Sequence, residues 1–227
     1  MPVHTTARER AREAVIAEIK AEAKRQLGDA GAAGLSLRAV ARELGMVSSA
    51  IYRYFPSRDE LLTTLIVDSY LDLAGAAERA LGRAGDDPRE QWRAACRAIR
   101  AWARKHPHEY ALLYGSPVPG YAAPQDTIDP ATAVYRALLA PVRAAGGRSS
   151  RRRTEPLPSS LEADGVRVAA ELELDVDAAR MVRLLDALTG LFGHLSFELF
   201  GHTHGVVEDH EAYFDHRVER LADDIGL

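Results

Sequence analysis

Apolar residues recur along most of the chain at spacings of three and four, which is the period of an amphipathic α-helix. Leu37, Val40, Ala41 and Leu44, for example, stand at positions i, i+3, i+4 and i+7. No segment alternates polar and apolar residues for long enough to predict a strand, although residues 166–174 (VRVAAELEL) are ambiguous. The pattern therefore predicts an all-α protein.

Capping and helix-breaking residues divide this pattern into separate helices. The first runs from about Thr6 to Asp29, Ser36 opens a short second helix that Gly45 stops, and Ser48 caps a third that ends near Phe55. A capping box that starts at Ser57 opens a long fourth helix over residues 57–83. Later helices are predicted at about 87–105, 106–115, 129–146, 176–200 and 208–225.

Residues 146–165 (GGRSSRRRTEPLPSSLEADG) have the composition of a flexible loop. The basic run at 148–153 within it is a spacer or a nonspecific DNA contact, and the spacer is the favoured interpretation. The helices on either side of residue 58 suggest two domains, residues 1–58 and residues 59–227.

Composition places the chain among ordinary globular proteins, with 47% hydrophobic and 27% charged residues in 227. No stretch of about 18 apolar residues predicts a membrane span, and the first residues lack the apolar segment of a signal peptide. The single cysteine, Cys96, excludes an internal disulfide and fits a reducing compartment. We therefore expect a cytoplasmic protein that does not enter a membrane.

The net charge of −4 argues at first against a nucleic-acid partner, but the charge is unevenly distributed. Residues 1–62 carry ten Lys or Arg against eight Asp or Glu (+2), and the remainder carries 19 against 25 (−6). Because phosphate contacts are local, a basic N-terminal part is compatible with DNA binding.

The most informative stretch is residues 35–62 (LSLRAVARELGMVSSAIYRYFPSRDELL). Two short helices meet at Gly45, where the small Ala41 lets them cross closely and the apolar Ile51 holds the second against the first. This arrangement is typical of a helix-turn-helix, which places its second helix in the major groove of DNA.

Polar residues on the second of these helices suit that role. Tyrosine hydroxyls at Tyr52 and Tyr54 can donate to phosphates, and Arg53 can reach a guanine edge. Ser48 and Ser49 lie at the end of the helix that meets bases or phosphate.

Arg58 adds a further indication of an anionic partner, because the first turn of a helix is an unfavourable place for a cation. The alternative is that Tyr52 and Phe55 belong to the core and that Arg53 and Arg58 are solvated.

From the first helix through SLRAVARELGMVSSAIYRYFPSRDELL, the sequence resembles the TetR family of regulators. The resemblance implies an all-α homodimer with an N-terminal three-helix helix-turn-helix domain and a larger C-terminal ligand-binding and dimerisation domain. By position it implies DNA contacts from Ser36, Arg38, Ser48, Ser49, Arg53 and Tyr54, and phosphate contacts from Tyr52 and Arg58. Arg8 and Arg10 would form a basic arm.

The C-terminal half resembles a subgroup common in actinobacterial regulators, with a WHG-like C-terminal domain. The resemblance rests on residues 106–121 and on residues 193–201 (GHLSFELFG), and it does not identify a ligand.

The helix over residues 176–200 is apolar nearly all round, with the small residues Ala187 and Gly190 on one side. Such a helix has to be buried on two sides, which suggests one face toward its own core and one toward a partner chain. With the last helix it would form half of an intermolecular four-helix bundle, as the resemblance also implies. The predicted dimer interface consists of Leu184, Leu188, Leu191, Leu195, Phe214 and Val218.

Aromatic residues of the central helices are candidates for a mostly apolar ligand pocket. The candidate pocket residues are Tyr70, Trp92, Cys96, Trp102, Tyr110, Tyr114 and Phe192. The alternative for each is an ordinary core position, and Cys96 reads as a small buried apolar residue.

Together these features predict a repressor that binds a palindromic operator as a dimer and is released by an unknown small molecule, without a cofactor. A ligand that shifts the C-terminal end of the fourth helix would change the spacing of the two DNA-binding domains. An effector-independent DNA-binding regulator has the same N-terminal residues and remains an alternative.

A metal-dependent sensor or enzyme is the other class considered. His202 and His204 follow a helix that carries His194 and Glu198, and His210 is close in sequence. A turn between helices normally exposes such polar residues, and the sequence contains none of the catalytic motifs HExxH, P-loop or GxSxG. We therefore expect no enzymatic activity.

Overall fold

A computed structural model of the chain describes residues 6–146 and 156–227, and these residues form helices with no β-strand. In this part of the chain the α-helices are α1 (Ala7–Ala30), α2 (Leu37–Glu43), α3 (Ser48–Ile51), α4 (Arg58–Leu81), α5 (Pro88–Lys105), α6 (Pro107–Tyr114), α7 (Ile128–Ala145), α8 (Ser159–Glu171), α9 (Ala178–Leu199) and α10 (His210–Ile225). Short 3₁₀ helices lie at Ala32–Gly34 and Gln125–Thr127. The predicted all-α class is confirmed.

Local hydrogen bonds explain where α1 begins and ends. The Thr6 hydroxyl accepts from the Glu9 N–H at 3.2 Å, and the Glu9 carboxylate accepts from the Thr6 N–H at 2.6 Å, which is a complete capping box. At the other end Gly31 has φ +65° and donates its N–H to the Leu27 carbonyl. This conformation favours glycine and turns the chain out of the helix.

The described residues divide into two compact units. Unit 1 contains residues up to Ser69 together with His106–Ile128, and unit 2 contains Tyr70–Lys105 with Asp129–Leu227. Unit 1 extends past residue 58 to Ser69 and also contains α6 and the segment after it, and the two-domain division at residue 58 stays a prediction.

Unit 1 is built around one apolar cluster. It contains Ile19 and Ala23 from α1, Val40 from α2, Ile51 from α3 and Leu61 from α4, all fully buried. Leu112, Val118 and Tyr121, from the second segment of the unit, pack against this cluster. The Tyr121 hydroxyl also lies 2.9 Å from the Thr63 hydroxyl, so the second segment is tied to α4.

In unit 2, α8 crosses α9 at very short range. A Cβ on Gly165 of α8 would lie 2.7 Å from the carbonyl oxygen of Ala178, closer than real Cβ atoms approach. The crossing therefore requires glycine at this position. α9 also packs against α10 and α5.

Arginines on one face of α5 pair with carboxylates on α10. Arg93 donates to Glu219, with one of its nitrogens 2.6 Å from the carboxylate, and Arg89 reaches the same carboxylate at 2.9 Å. Arg97 makes a two-point pair with Asp215 at 2.8 and 2.9 Å. These bonds lower the pKa of Glu219 to about 2 and lower the pKa of Asp215.

The structure differs from the predicted loop at 146–165, since residues 159–165 belong to α8. The basic run at 148–153 lies outside the described residues. The ambiguous segment 166–174 is helical as far as Glu171, after which Glu173 adopts φ +53° and the chain turns. Ala169 in this segment is buried.

Candidate nucleic-acid interface

The turn between α2 and α3 has the geometry expected of a helix-turn-helix. Ala41 and Ile51 are fully buried, one on each helix. Gly45 has φ +64°, and a Cβ added there would meet no atom within 4 Å, so glycine is favoured by backbone conformation and not by lack of space. The Met46 N–H donates to the Ala41 carbonyl at 2.8 Å and closes the turn.

The polar residues predicted on α3 form an exposed surface. Ser48, Ser49, Tyr52 and Arg53 are exposed, and Tyr54 is half-buried. These side chains are therefore available to a partner molecule. If they served only the packing of the unit, more of them would be buried.

The start of α3 differs from the expectation. Ser48 is the first residue of the helix, and Val47 stands at the N-cap position, where its side chain makes no hydrogen bond. The helix ends earlier than predicted, at Ile51. The N–H groups of Tyr54 and Phe55 still bond to the Ile51 carbonyl, at 2.9 and 3.0 Å, so the backbone continues in turns.

Ser36 and Arg38 lie at the start of α2, as predicted. The Ser36 hydroxyl accepts from the Ala39 N–H at 3.4 Å and caps the helix, and its side chain is half-buried. Arg38 is exposed. Ser36 therefore has a structural role, which leaves its role as a DNA contact a prediction.

The reason given for an anionic partner at Arg58 is wrong. Its guanidinium donates to the backbone carbonyls of Leu35, at 3.2 Å, and of Ala32, at 2.8 Å. It also lies 3.5 Å from the Asp59 carboxylate. Its position in the first turn of α4 is explained by these acceptors, which tie α4 to the segment leading into α2.

Arg12 of α1 contacts residues 48–55, which comprise α3 and the turn after it and which we call the recognition segment. The sequence predicts a basic arm at Arg8 and Arg10 instead. One of the terminal nitrogens of Arg12 donates to the Arg53 carbonyl at 3.3 Å, and its guanidinium lies 5.3 Å from the centre of the Tyr54 ring. A helical pattern shows that Arg12 is on the surface. The pattern does not show that Arg12 lies beside Arg53, which is 41 positions further along the chain.

The predicted ligand-pocket residues fall into different units. Tyr110 and Tyr114 belong to unit 1, where their rings lie 5.0 Å apart, and the other five belong to unit 2. A groove of about 550 Å³ lies in unit 1, and none of the seven predicted residues lines it. It is lined by the end of α1, the 3₁₀ helix after it, α6 and residues 116–119.

Within unit 2 several predicted pocket residues are core residues with internal partners. The indole N–H of Trp92 donates to the Val218 carbonyl at 3.1 Å, and that of Trp102 donates to the Asp72 carboxylate at 2.8 Å. Cys96 is fully buried, which raises the pKa of its thiol. These three residues match the core alternative.

Tyr70 and Phe192 are associated with a tyrosine that the sequence did not single out. Tyr135 of α7 lies 6.1 Å from Phe192 in an edge-on arrangement, and burial raises the pKa of both Tyr135 and Tyr70. These aromatic residues of unit 2 are the candidates that remain for a ligand contact.

The six residues predicted for the dimer interface are already buried within one chain. None of the six is more than 5% exposed. They are Leu184, Leu188, Leu191, Leu195, Phe214 and Val218. Side chains buried in this way offer little surface to a partner chain, and their place in a dimer interface stays a prediction.

Other apolar side chains at the end of α9 and on α10 are exposed. Phe197 is 58% exposed and Tyr213 is 44% exposed, and Phe200 and Val206 lie near them in sequence and are exposed as well. We call these four residues the α9–α10 apolar face. His194 lies 4.7 Å from the Tyr213 ring, and burial lowers its pKa.

In the described part of the chain, no three His, Cys, Asp or Glu residues are close enough together to hold a metal ion. His202 and His204 are exposed in the turn after α9. Among the described residues, no helix has the length and apolar character needed to span a bilayer.

The fold and the exposed α3 surface define a helix-turn-helix protein, and comparison with known proteins specifies its class. Residues 19–65 match the family described as bacterial regulatory proteins, tetR family, and residues 92–221 match the tetracyclin repressor-like C-terminal domain. The chain is similar to the HTH-type transcriptional regulators Rv1816 of Mycobacterium tuberculosis and Mb1846 of Mycobacterium bovis. Each is 44% identical over 197 residues, which covers 84% of this chain and 83% of the relative. The chain belongs to the TetR family and is a DNA-binding transcriptional regulator, not an enzyme.

Solved structures agree with this assignment. The regulatory protein SCO4313 is 35% identical to this chain. Its structure superposes with a TM-score of 0.78, and the match covers 95% of this chain and 98% of the other. PfmR, a TetR family regulator from Thermus thermophilus, is 19% identical with a TM-score of 0.58 over 89% of this chain and 96% of the other, and shows the shared fold alone.

Proposed function

We propose that the protein is a repressor that binds a palindromic operator as a homodimer and leaves it when a small molecule binds. The observation that carries this proposal is the α3 surface, where Ser48, Ser49, Tyr52 and Arg53 are exposed beside the buried pair Ala41 and Ile51. The buried pair fixes the helix, and the exposed residues offer hydroxyl groups and a guanidinium to phosphates and base edges. A bacterial protein that acts in this way on the chromosome works in the cytoplasm.

A homodimer is supported by the α9–α10 apolar face. Exposed apolar patches on a folded unit commonly mark protein–protein contacts. Two copies related by a twofold axis would cover this face with the same face of the partner. The dimer would present two α3 surfaces about 34–36 Å apart, which is one turn of DNA.

Release by a small molecule is supported by a group of aromatic residues in unit 2, of which Tyr70 and Tyr135 are half-buried and Phe192 is buried. Tyr70, Tyr135 and Phe192 offer aromatic rings and two hydroxyl groups, a combination that suits an organic ligand. α4 contributes its first residues to unit 1 and those after Ser69 to unit 2. A ligand that displaces the second half of α4 would therefore act on the DNA-binding unit along a continuous helix.

The test is a selection experiment. The purified protein is mixed with fragments of its own genome, including the region upstream of its gene, and the bound DNA is recovered and sequenced. We expect recovery of inverted repeats, with affinity that falls steeply as salt is raised. Arg53→Ala should weaken binding at least about tenfold and Tyr54→Phe by less, because Phe keeps the ring and loses only the hydroxyl group. Arg83→Ala, which removes an exposed arginine beyond α4, is the matched control.

Absence of any selected fragment would contradict the proposal as a whole. Selected fragments without an inverted repeat would contradict the palindromic operator and leave DNA binding in place. A metabolite extract that never lowers the affinity for the selected DNA would contradict release by a ligand.

A further inference from the structure

Val47 is placed where neither helix capping nor burial explains an apolar residue. It occupies the N-cap position of α3, where Ser, Thr, Asp or Asn would accept a hydrogen bond from the helix, and its side chain makes none. Its side chain is also 72% exposed, so it adds little to the apolar cluster of unit 1. Two local preferences are therefore violated by one residue.

The neighbours of Val47 account for the stability of this region without it. Ile51 holds α3 to the core, and the hydrogen bond from Met46 to Ala41 closes the turn. Ser48 and Ser49, which follow Val47 directly, and Tyr52 are exposed as well. Residues that break local rules without a structural gain are expected at functional sites.

We propose that Val47 determines sequence specificity by contacting the 5-methyl group of a thymine. This inference rests on the proposed binding of α3 in the major groove. A valine side chain has no polar atom, so it cannot bond to a phosphate or to the polar edge of a base. The thymine methyl is the apolar group that the bases display in the major groove, and apolar side chains read it by direct contact.

The test uses the duplex that the protein recovers in the selection described above. Each thymine of one half-site is replaced in turn by deoxyuridine, which removes only the methyl group. For the wild-type protein we expect one position at which the affinity falls about fourfold, the effect of exposing a buried group of this size at about 0.8 kcal/mol. The other positions should change little.

Val47→Ala and Val47→Ser separate a methyl contact from a structural effect. At that position Val47→Ser should bind the thymine and deoxyuridine duplexes with equal affinity, and Val47→Ala, whose single methyl reaches less far, should show a difference smaller than fourfold. Val47→Ser should also raise the Tm, because it supplies the missing cap. Val166→Ser, at an exposed valine of α8, should retain the fourfold difference of the wild type.

The possible failures are distinguishable. If no duplex is recovered, the proposed DNA-binding mode is overturned and this inference with it. If a duplex is recovered but no deoxyuridine position affects the wild type, or the variants keep the same fourfold loss, the thymine contact is overturned while DNA binding stands.

Discussion

The guanidinium of Arg12 lies 5.3 Å from the centre of the Tyr54 ring, and the same side chain donates to the Arg53 carbonyl. Arg12 therefore connects the first turns of α1 to the end of the recognition segment. A cation over a partly exposed aromatic ring contributes about 0.5–1 kcal/mol, and a hydrogen bond from a charged donor adds to it.

Arg12→Ala is expected to weaken operator binding about threefold to tenfold, because Arg53 and Tyr54 lose a support worth roughly 1 kcal/mol. The measurement is the affinity for the selected duplex at several salt concentrations. A positioning role leaves the slope of log K against log salt unchanged, and Arg12→Lys should restore little. A fall in the slope of about 0.9 would instead indicate that Arg12 neutralises a phosphate.

Arg58→Ala is expected to lower the free energy of unfolding by about 1–3 kcal/mol, since the carbonyls of Ala32 and Leu35 lose their charged donor. Urea denaturation measures this loss. Arg58→Lys keeps the charge without the fork-shaped group, so it should be nearly as destabilising. Arg58→Ala could instead keep full stability and lower the slope of log K against log salt in DNA binding. That result would favour the phosphate contact that the family resemblance implies for Arg58.

Phe197→Glu is expected to dissociate the dimer while each chain stays folded, because the dimer would bury a carboxylate where the α9–α10 apolar face has an exposed apolar ring. Sedimentation analysis should show a dissociation constant weakened by about 30-fold or more. Leu161→Glu, at an exposed leucine of α8, is the matched control and should remain dimeric. Were both variants to stay dimeric, the partner contact would lie elsewhere.

Glu219→Gln is expected to destabilise the protein by about 1–2 kcal/mol at pH 7, a figure reduced for partial exposure of the carboxylate. The bonds from Arg93 and Arg89 hold the pKa of Glu219 at about 2, below its ordinary value of 4.5. Its contribution is therefore complete above about pH 4.5 and is lost as the pH falls toward 2. Denaturation midpoints of wild type and variant should converge over that range, whereas a constant difference would contradict the ion-pair origin. Glu162→Gln, at an exposed residue of α8, should match the wild type at every pH.

The sequence predicted the helices best where a local signal sets a boundary. Thr6, Ser36 and Gly45 each act through atoms a few residues away, and the structure confirms the boundaries they mark. α8 begins inside a segment that reads as a loop, since its packing depends on glycine and alanine, which carry little apolar signal.

The sequence does not show which residues of α9 face a partner chain, for a different reason. A helix that is apolar nearly all round shows that two faces are covered, but not which face its own unit covers. Leu188 and Leu191, which the pattern predicts at the dimer interface, are buried in their own unit, while Phe197 is exposed. The partners of Arg58 could not be predicted either. Its acceptors are backbone carbonyls 23 and 26 residues away, and a backbone carbonyl leaves no mark in the sequence.

The DNA-binding unit of this protein is assembled from two separate stretches of sequence, the first ending near Ser69 and the second running from His106 to Ile128. Leu112, Val118 and Tyr121 of the second stretch complete its apolar cluster. A single recombination junction placed after α4 would therefore transfer an incomplete unit to another regulator. Exchange of operator specificity between relatives by such a junction would need compensating substitutions, whereas point changes on the surface of α3 leave the unit whole.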